Sequence, residues 1–172
     1  QEALANNYYN SIAYPLPALE ELYEQRAGDI SVYNAARNPM LTAPLVEKLA
    51  RDPYSYTRLV VATHPLLSER TLLQLATDSV AMVRGAAAQS SLLPEETLRA
   101  LLLDASDEVR ERAAENPNTP PEELARLAND ESVYVRRGVG KNPRTPAETL
   151  VRLADDVSEQ ARWGVSWNHA AP

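Results

Sequence analysis

Two sets of charged residues recur every 26 positions and could together form ion pairs or bind an anion. Arginine holds one position of the repeat, at Arg58, Arg84, Arg110, Arg136 and Arg162. Aspartate holds another, at Asp52, Asp78, Asp104, Asp130 and Asp156. A guanidinium group can bond carboxylates or backbone carbonyls with two parallel bonds, so the recurrence favours structural ladders of internal ion pairs that connect one repeat to the next. An arginine stripe that binds anions is the alternative.

Side chains that could bind a metal or act as a nucleophile are scarce. The chain has no cysteine and two histidines, His64 and His169, which lie about four repeats apart. No H-E-x-x-H, G-x-S-x-G, P-loop or dinucleotide-binding motif occurs. Acidic pairs such as Glu122-Glu123 lie in a predicted first helical turn, where the helix dipole accounts for them. We therefore expect no metal site, no cofactor and no catalytic residue, and hence a protein that is not an enzyme.

Two positions four residues apart vary from repeat to repeat and are the best candidates for binding a partner. The candidate surface consists of Tyr33 and Arg37, Glu111 and Glu115, Arg137 and Lys141, and Trp163 and Trp167. Their character changes from acidic through basic to aromatic, while the scaffold positions stay constant. We predict that these positions face outward, and that the tryptophans could stack on the neighbouring cations.

The tryptophans have three interpretations. They cover the open end of the array, they form a binding hot spot, in which Trp and Arg are enriched, or they pack against further repeats of a longer protein.

Two short helices per repeat would position these residues. The segment "TPPEELARLAND" (119–130) predicts the longer helix, with Thr119 as its N-cap and apolar residues at i, i+3 and i+4 on its buried side. The segment "SVYVRRGVGKNP" (132–143) predicts a shorter second helix of α or 3₁₀ geometry that ends before Pro143. Asn142 and its equivalents are expected to bond to the backbone of the turn that follows.

The composition agrees with short helices and excludes some classes of protein. Leucine and alanine dominate and phenylalanine is absent, and the 13 prolines fit only if the helices are short and the prolines punctuate them, because each would cost about 3 kcal/mol in a helix interior. The net charge of −7 disfavours nucleic acid as a partner. No run of 18 or more apolar residues occurs, so we expect no transmembrane helix.

The repeat also identifies a family. The pattern V-R, then A, then N-P-x-T-P-x-E-L-x-x-L-A-x-D resembles the leucine-rich repeat variant family, best in "VRERAAENPNTPPEELARLAND" (109–130) and "VRRGVGKNPRTPAETLVRLADD" (135–156). The resemblance covers roughly residues 30–170 and implies an all-α, right-handed superhelix of alternating α and 3₁₀ helices without strands. One family member carries a cysteine-rich iron–sulfur segment, which a chain without cysteine does not share. The family brings no catalytic residues and no agreed ligand.

These observations predict a single solenoid, because a repeat of this size cannot bury its own apolar stripe and must stack on its neighbours. We expect residues 1–29 to be a degenerate capping unit, and residues 30–172 to be about five 26-residue repeats plus a truncated terminal unit. The predicted function is a non-catalytic scaffold that presents the variable surface to a protein partner. The alternative is binding of nucleic acid or a phosphate ligand through unpaired arginines. A chain that starts at Gln1 is expected to be trimmed or processed, and we expect a cytoplasmic location, with export left open.

Overall fold

The computed structural model describes residues 20, 21, 23–25, 36–38 and 41–168. Between residues 43 and 166 the chain forms ten α-helices, and no strand occurs among the described residues. The helices are α1 Ala43–Leu49, α2 Ser55–Val61, α3 Glu69–Leu75, α4 Ala81–Ala88, α5 Glu95–Leu101, α6 Asp107–Glu115, α7 Pro121–Leu127, α8 Val133–Lys141, α9 Ala147–Ala154 and α10 Glu159–Ser166. The predicted all-α repeat is therefore confirmed.

The second helix of a repeat is as long as the first or longer, whereas the sequence predicted a shorter one. Helix α7 has seven residues, whereas α8 has nine and is α-helical rather than 3₁₀. Pro120 is extended because Pro121 follows it, and this delays the start of α7. Nothing interrupts α8 until Asn142, which is extended because it precedes a proline.

The predicted N-cap role of Thr119 is wrong. Pro120 occupies the N-cap position of α7, so Thr119 lies outside that helix. Its hydroxyl instead donates a hydrogen bond of 2.5 Å to the carbonyl of Ala113, in the last turn of α6. Thr145 makes the same contact with Val139 at 2.6 Å. This threonine therefore satisfies a carbonyl at the end of the preceding helix, one of the groups that a helix cannot pair internally.

The core follows the apolar positions of the repeat. Odd-numbered helices contribute two buried leucines each, and the even-numbered helices contribute valine and alanine. In the last three complete repeats the buried residues include Leu98, Leu101, Val109, Ala113, Leu124, Leu127, Val135, Val139, Leu150, Leu153 and Ala161. Burying one leucine side chain contributes on the order of 2 kcal/mol, so this core is a main source of the stability of the repeats.

The chain falls into two compact units, residues 1–71 and 72–172. In the first unit, the carboxylate of Glu47 in α1 accepts hydrogen bonds from the backbone N–H of Ser68 and the hydroxyl of Thr71. In the second unit, α4 packs on α6, α6 on α8, and α8 on α10. The predicted capping unit at 1–29 stays a prediction, because most of it lies outside the described residues.

Close approach between helix backbones in the second unit depends on glycine. A Cβ atom at Gly164 of α10 would lie 2.3 Å from the carbonyl oxygen of Arg137 in α8. A Cβ atom at Gly138 of α8 would lie 2.9 Å from the carbonyl oxygen of Glu111 in α6. Both distances are too short for any side chain, so these glycines set the spacing between neighbouring repeats.

Candidate interaction surface

The arginine and aspartate positions of the repeat meet in the second unit. Arg110 donates from Nε and Nη2 to the carboxylate of Asp130, at 2.9 Å each, and from Nη1 to the backbone carbonyl of Asp104 at 2.9 Å. The same arrangement recurs at two further places, and we call the three ion pairs the Arg–Asp ladder: Arg84–Asp104, Arg110–Asp130 and Arg136–Asp156. Each arginine therefore bonds the backbone of the aspartate that precedes its own helix and the side chain of the equivalent aspartate in the next repeat.

The ladder carboxylates are held in the ionised form. The hydrogen bond from Arg84 lowers the pKa of Asp104 below its ordinary value, and that from Arg136 does the same for the pKa of Asp156. Burial alone would raise the pKa of Asp130, but the hydrogen bonds from Arg110 and the backbone N–H of Ser132 outweigh it, and its pKa is also lowered. The guanidinium groups of the ladder are thus engaged internally and are not presented to an external anion.

A second set of contacts between repeats comes from asparagine. The side-chain oxygen of Asn142 accepts a hydrogen bond of 2.9 Å from the backbone N–H of Arg144, in the turn predicted from the sequence. Its amide group also donates to the carbonyls of Ala114 at 2.6 Å and Asn116 at 2.7 Å, both in the preceding repeat. Asn116 and Asn168 repeat these amide contacts.

Sequence reasoning missed these amide bonds between repeats. The available signal was the 26-residue recurrence of asparagine, rather than serine or aspartate, since only an amide can donate two hydrogen bonds while its oxygen accepts another.

Part of the predicted surface does not face outward. Glu111 is buried, and the prediction that it lies on an exposed surface is wrong. Gly138 brings the backbone of α8 against Glu111, and the guanidinium of Arg137 then covers its carboxylate with bonds of 3.1 Å from Nε and 2.5 Å from Nη2. Lys141 pairs with Glu115 in the same way, at 2.8 Å. The acidic and basic pairs of adjacent repeats therefore neutralise each other.

The expected stacking of the tryptophans on these cations is also absent from the described residues. The guanidinium of Arg137 lies instead over the ring of Tyr134, with 5.1 Å between Cζ and the ring centroid. Within the part of the chain that the structure describes, no cation lies over Trp163 or Trp167. Arg137 is paired instead with Glu111, one repeat before it.

The tryptophans are the most exposed aromatic groups of the second unit. Trp163 in α10 is 60% exposed, and Trp167, which caps the end of that helix, is 72% exposed. Arg162, directly before Trp163, is exposed as well. We call these three residues the α10 face. Arg37 is exposed but belongs to the other unit, and Tyr33 lies outside the described residues. Of the surface predicted in the second unit, Trp163 and Trp167 are exposed, and Arg137, Lys141 and Glu115 remain partly exposed within ion pairs. Arg162 was predicted as a ladder residue and adds to the exposed face of α10.

The remaining features of the described residues offer no chemistry of their own. No group of three histidine, aspartate or glutamate side chains there is arranged to hold a metal ion. None of the helices there has the length and apolar character needed to cross a bilayer. An open groove of about 560 Å³ lies beside the ladder, with Asp107, Arg110, Ser132 and Tyr134 in its lining. Arg110 and Asp107 in this lining already form internal contacts, with Asp130 and Ser132.

Comparison with known proteins supports the repeat. The sequence profile described as leucine rich repeat variant matches residues 107–132 and 135–158. A solved structure described as a leucine-rich repeat variant with a novel repetitive protein structural motif is 26% identical to the chain, with a TM-score of 0.63. That likeness covers 97% of this chain and 69% of the other. No curated protein matches the sequence.

Proposed function

We propose that this chain, in which two repeats match the leucine rich repeat variant profile, is a non-catalytic scaffold that binds a protein partner through the α10 face. The observation that carries the proposal is the exposure of two tryptophans four residues apart, Trp163 at 60% and Trp167 at 72%. Large aromatic side chains are usually covered in a folded protein, and tryptophan is among the residues most enriched in binding hot spots. A surface of this kind gains free energy when a partner removes it from water.

The surroundings of the tryptophans fit a protein partner. Arg137 and Lys141, on the preceding helix of the stack, are held by Glu111 and Glu115 and keep 30% and 40% of their side chains exposed. They can therefore form the polar rim that surrounds the apolar centre of many interfaces. Repeat proteins offer extended surfaces of this kind because equivalent positions lie next to one another.

Binding of nucleic acid or a phosphate ligand, the alternative, receives less support. Six arginines of the second unit pair with carboxylates: Arg84, Arg99, Arg110, Arg126, Arg136 and Arg137. The net charge of −7 adds a general repulsion from phosphate groups. Few cations are thus left to neutralise a nucleic-acid backbone.

The test compares what the wild-type chain and two variants capture from a cell extract. The first variant, Trp163→Ala plus Trp167→Ala, removes the aromatic surface. The control, Leu103→Ala, removes a side chain that is 69% exposed and lies after α5. A protein retained by wild type and control but lost by the double variant supports the proposal. Capture that is the same for all three chains rejects the α10 face.

A second arm measures the fluorescence anisotropy of labelled oligonucleotides with the wild-type chain. Binding at low salt that weakens steeply as salt is added would favour the alternative function. We expect no change in anisotropy. Charge reversal at Arg137 and Lys141 would lower stability as well as any binding, because it sets new acidic groups against Glu111 and Glu115.

A further inference from the structure

His64 occupies a position of the repeat that asparagine holds in the second unit, at Asn116 and Asn142. The side-chain oxygen of each asparagine accepts a hydrogen bond from the backbone N–H two residues later, at 2.8 Å for Asn116 and 2.9 Å for Asn142. In the first unit, Nδ1 of His64 takes over this role and accepts the backbone N–H of Leu66 at 3.2 Å. An imidazole nitrogen therefore replaces an amide oxygen as the acceptor of the turn.

This bond belongs to the turn that connects α2 to α3. The chain leaves α2 at Val61, and the backbone N–H of His64 donates to the carbonyl of Val61 at 2.9 Å. The carbonyl of His64 accepts the N–H of Leu67 at 3.1 Å. The turn places Leu67 in the core, with 7% of its surface exposed, whereas Leu66 is 45% exposed. The bond to Nδ1 thus acts together with two backbone bonds to hold Leu67 in place.

Protonation of the imidazole removes the acceptor. A neutral imidazole carries one proton, so a ring that accepts at Nδ1 has its proton on Nε2. In the charged ring both nitrogens are donors, and Nδ1–H would then face the N–H of Leu66. Two donors cannot form a hydrogen bond with each other. An asparagine at this position does not titrate between about pH 5 and pH 8, whereas a histidine does.

The surroundings of His64 favour the neutral ring. The side chain is half-buried, and burial holds the pKa of its imidazole below the ordinary value. The charged side chains in the described segments around the turn add no shift: Arg37, Arg58, Glu69 and Arg70. The unfolded chain, with the ordinary pKa of about 6.5, therefore binds more protons in acid than the folded chain. The stability that the neutral ring contributes is complete above that value and is lost as the pH falls through the lowered pKa of the folded chain.

We propose that the turn of residues 64–67 is a pH-sensitive switch, which the neutral imidazole of His64 holds closed and which opens when the imidazole takes up a proton. In the open turn the N–H of Leu66 bonds to water, and Leu67 is held less firmly in the core. The turns of Asn116 and Asn142 stay closed at the same pH. Among the described residues, His64 is the one titratable side chain at this position of the repeat, so acid acts on this turn alone. The switch does not depend on the α10 face.

Exchange of the Leu66 amide hydrogen with water reports whether the turn is closed. Nuclear magnetic resonance measures its rate from about pH 7.5 to about pH 5, where a histidine changes its charge. The rate is corrected for the known effect of pH on an unprotected amide. In the wild-type chain the protection of this amide should fall about three- to tenfold across the range, which is the factor for one lost hydrogen bond. The fall should have the same midpoint as the titration of the His64 ring in the same samples.

Two substitutions of His64 are the matched controls. His64→Asn installs the residue that the second unit uses, and the Leu66 amide should then stay protected over the whole range. His64→Ala removes the acceptor at every pH, and the Leu66 amide should be as weakly protected throughout as it is in the wild-type chain in acid. The N–H of Asn118, which donates to Asn116, should not respond to pH in any of the three chains.

Three results would overturn the inference. Constant protection of Leu66 in the wild-type chain would show that the turn does not respond to the charge of the ring. A fall of the same size in His64→Asn would assign the response to another group. A midpoint that differs from that of the ring titration would do the same. If His64→Ala does not fold, His64→Asn and the ring titration still decide between these outcomes.

Discussion

Replacing Arg110 with methionine removes one pair of the Arg–Asp ladder and tests whether that ladder connects the repeats. The Arg110 and Asp130 side chains are 13% and 10% exposed, so the carboxylate would remain nearly buried without its counter-charge. Three charge-assisted bonds of 2.9 Å are lost, two to Asp130 and one to the carbonyl of Asp104. Breaking a fully buried pair costs about 3–5 kcal/mol, and the residual exposure places this pair near the lower limit, at about 3 kcal/mol.

Thermal unfolding followed by circular dichroism measures the effect. A loss of about 3 kcal/mol should lower Tm by roughly 6–12 °C in a chain of this size. Arg126→Met is the matched control, because Arg126 is 48% exposed and its i,i+3 pair with Glu123 should be worth less than about 1 kcal/mol. Adding Asp130→Asn to Arg110→Met should recover about 1–2 kcal/mol, since the unpaired charge is then gone. If Arg110→Met and Arg126→Met lower Tm equally, the ladder does not connect the repeats.

Two further predictions concern glycine and pH. Gly164→Ala should lower the free energy of unfolding, measured by urea denaturation, by about 1–3 kcal/mol, because the new methyl group would lie 2.3 Å from the carbonyl oxygen of Arg137. Gly85→Ala is the control: the nearest atom to its new methyl group is 3.5 Å away, so this change should be neutral or stabilising. Equal effects would mean that α8 and α10 are not in backbone contact. The ladder aspartates have lowered pKa values in the folded chain, so in acid the unfolded chain binds more protons than the folded chain. The stability that these aspartates contribute is complete above about pH 5 and is lost as the pH falls through and below the ordinary aspartate pKa of about 3.9. Stability measured from pH 6 to pH 2 should therefore decline less steeply for Asp130→Asn than for wild type, and parallel curves would contradict the pKa directions.

The 26-residue spacing was sufficient to predict the helical repeat and the residues of its core. Leu124 and Leu127 were placed by periodicity alone, because the need to bury apolar surface leaves one face of a short helix inside. The end of α8 at Asn142 also followed from the proline after it. The start of α7 did not, because two consecutive prolines moved the helix start past Thr119, and a hydroxyl can cap the end of one helix as readily as the start of the next.

The candidate surface was harder to predict because it depends on contacts between repeats. Periodicity on one helix says that Glu111 and Arg137 share a position, but not that Gly138 lets the two helices approach until one residue covers the other. The variation at the position shared by Glu111 and Arg137 therefore reflected charge pairing between adjacent repeats, and not exposure to solvent. Trp163 and Trp167 stay exposed because, among the described residues, no helix packs on their side of α10.

The stacking of repeats is tested most directly by asking whether residues one repeat apart are in contact. Nuclear magnetic resonance of the labelled chain can detect through-space contacts from the side-chain amide protons of Asn142 and couplings across its hydrogen bonds. We expect signals that connect this amide with the carbonyls of Ala114 and Asn116, at distances of 2.6 and 2.7 Å. An Asn142 amide that contacts only its own turn and exchanges with water would contradict the stacking of repeats on which the ladder, the α10 face and the proposed partner all depend.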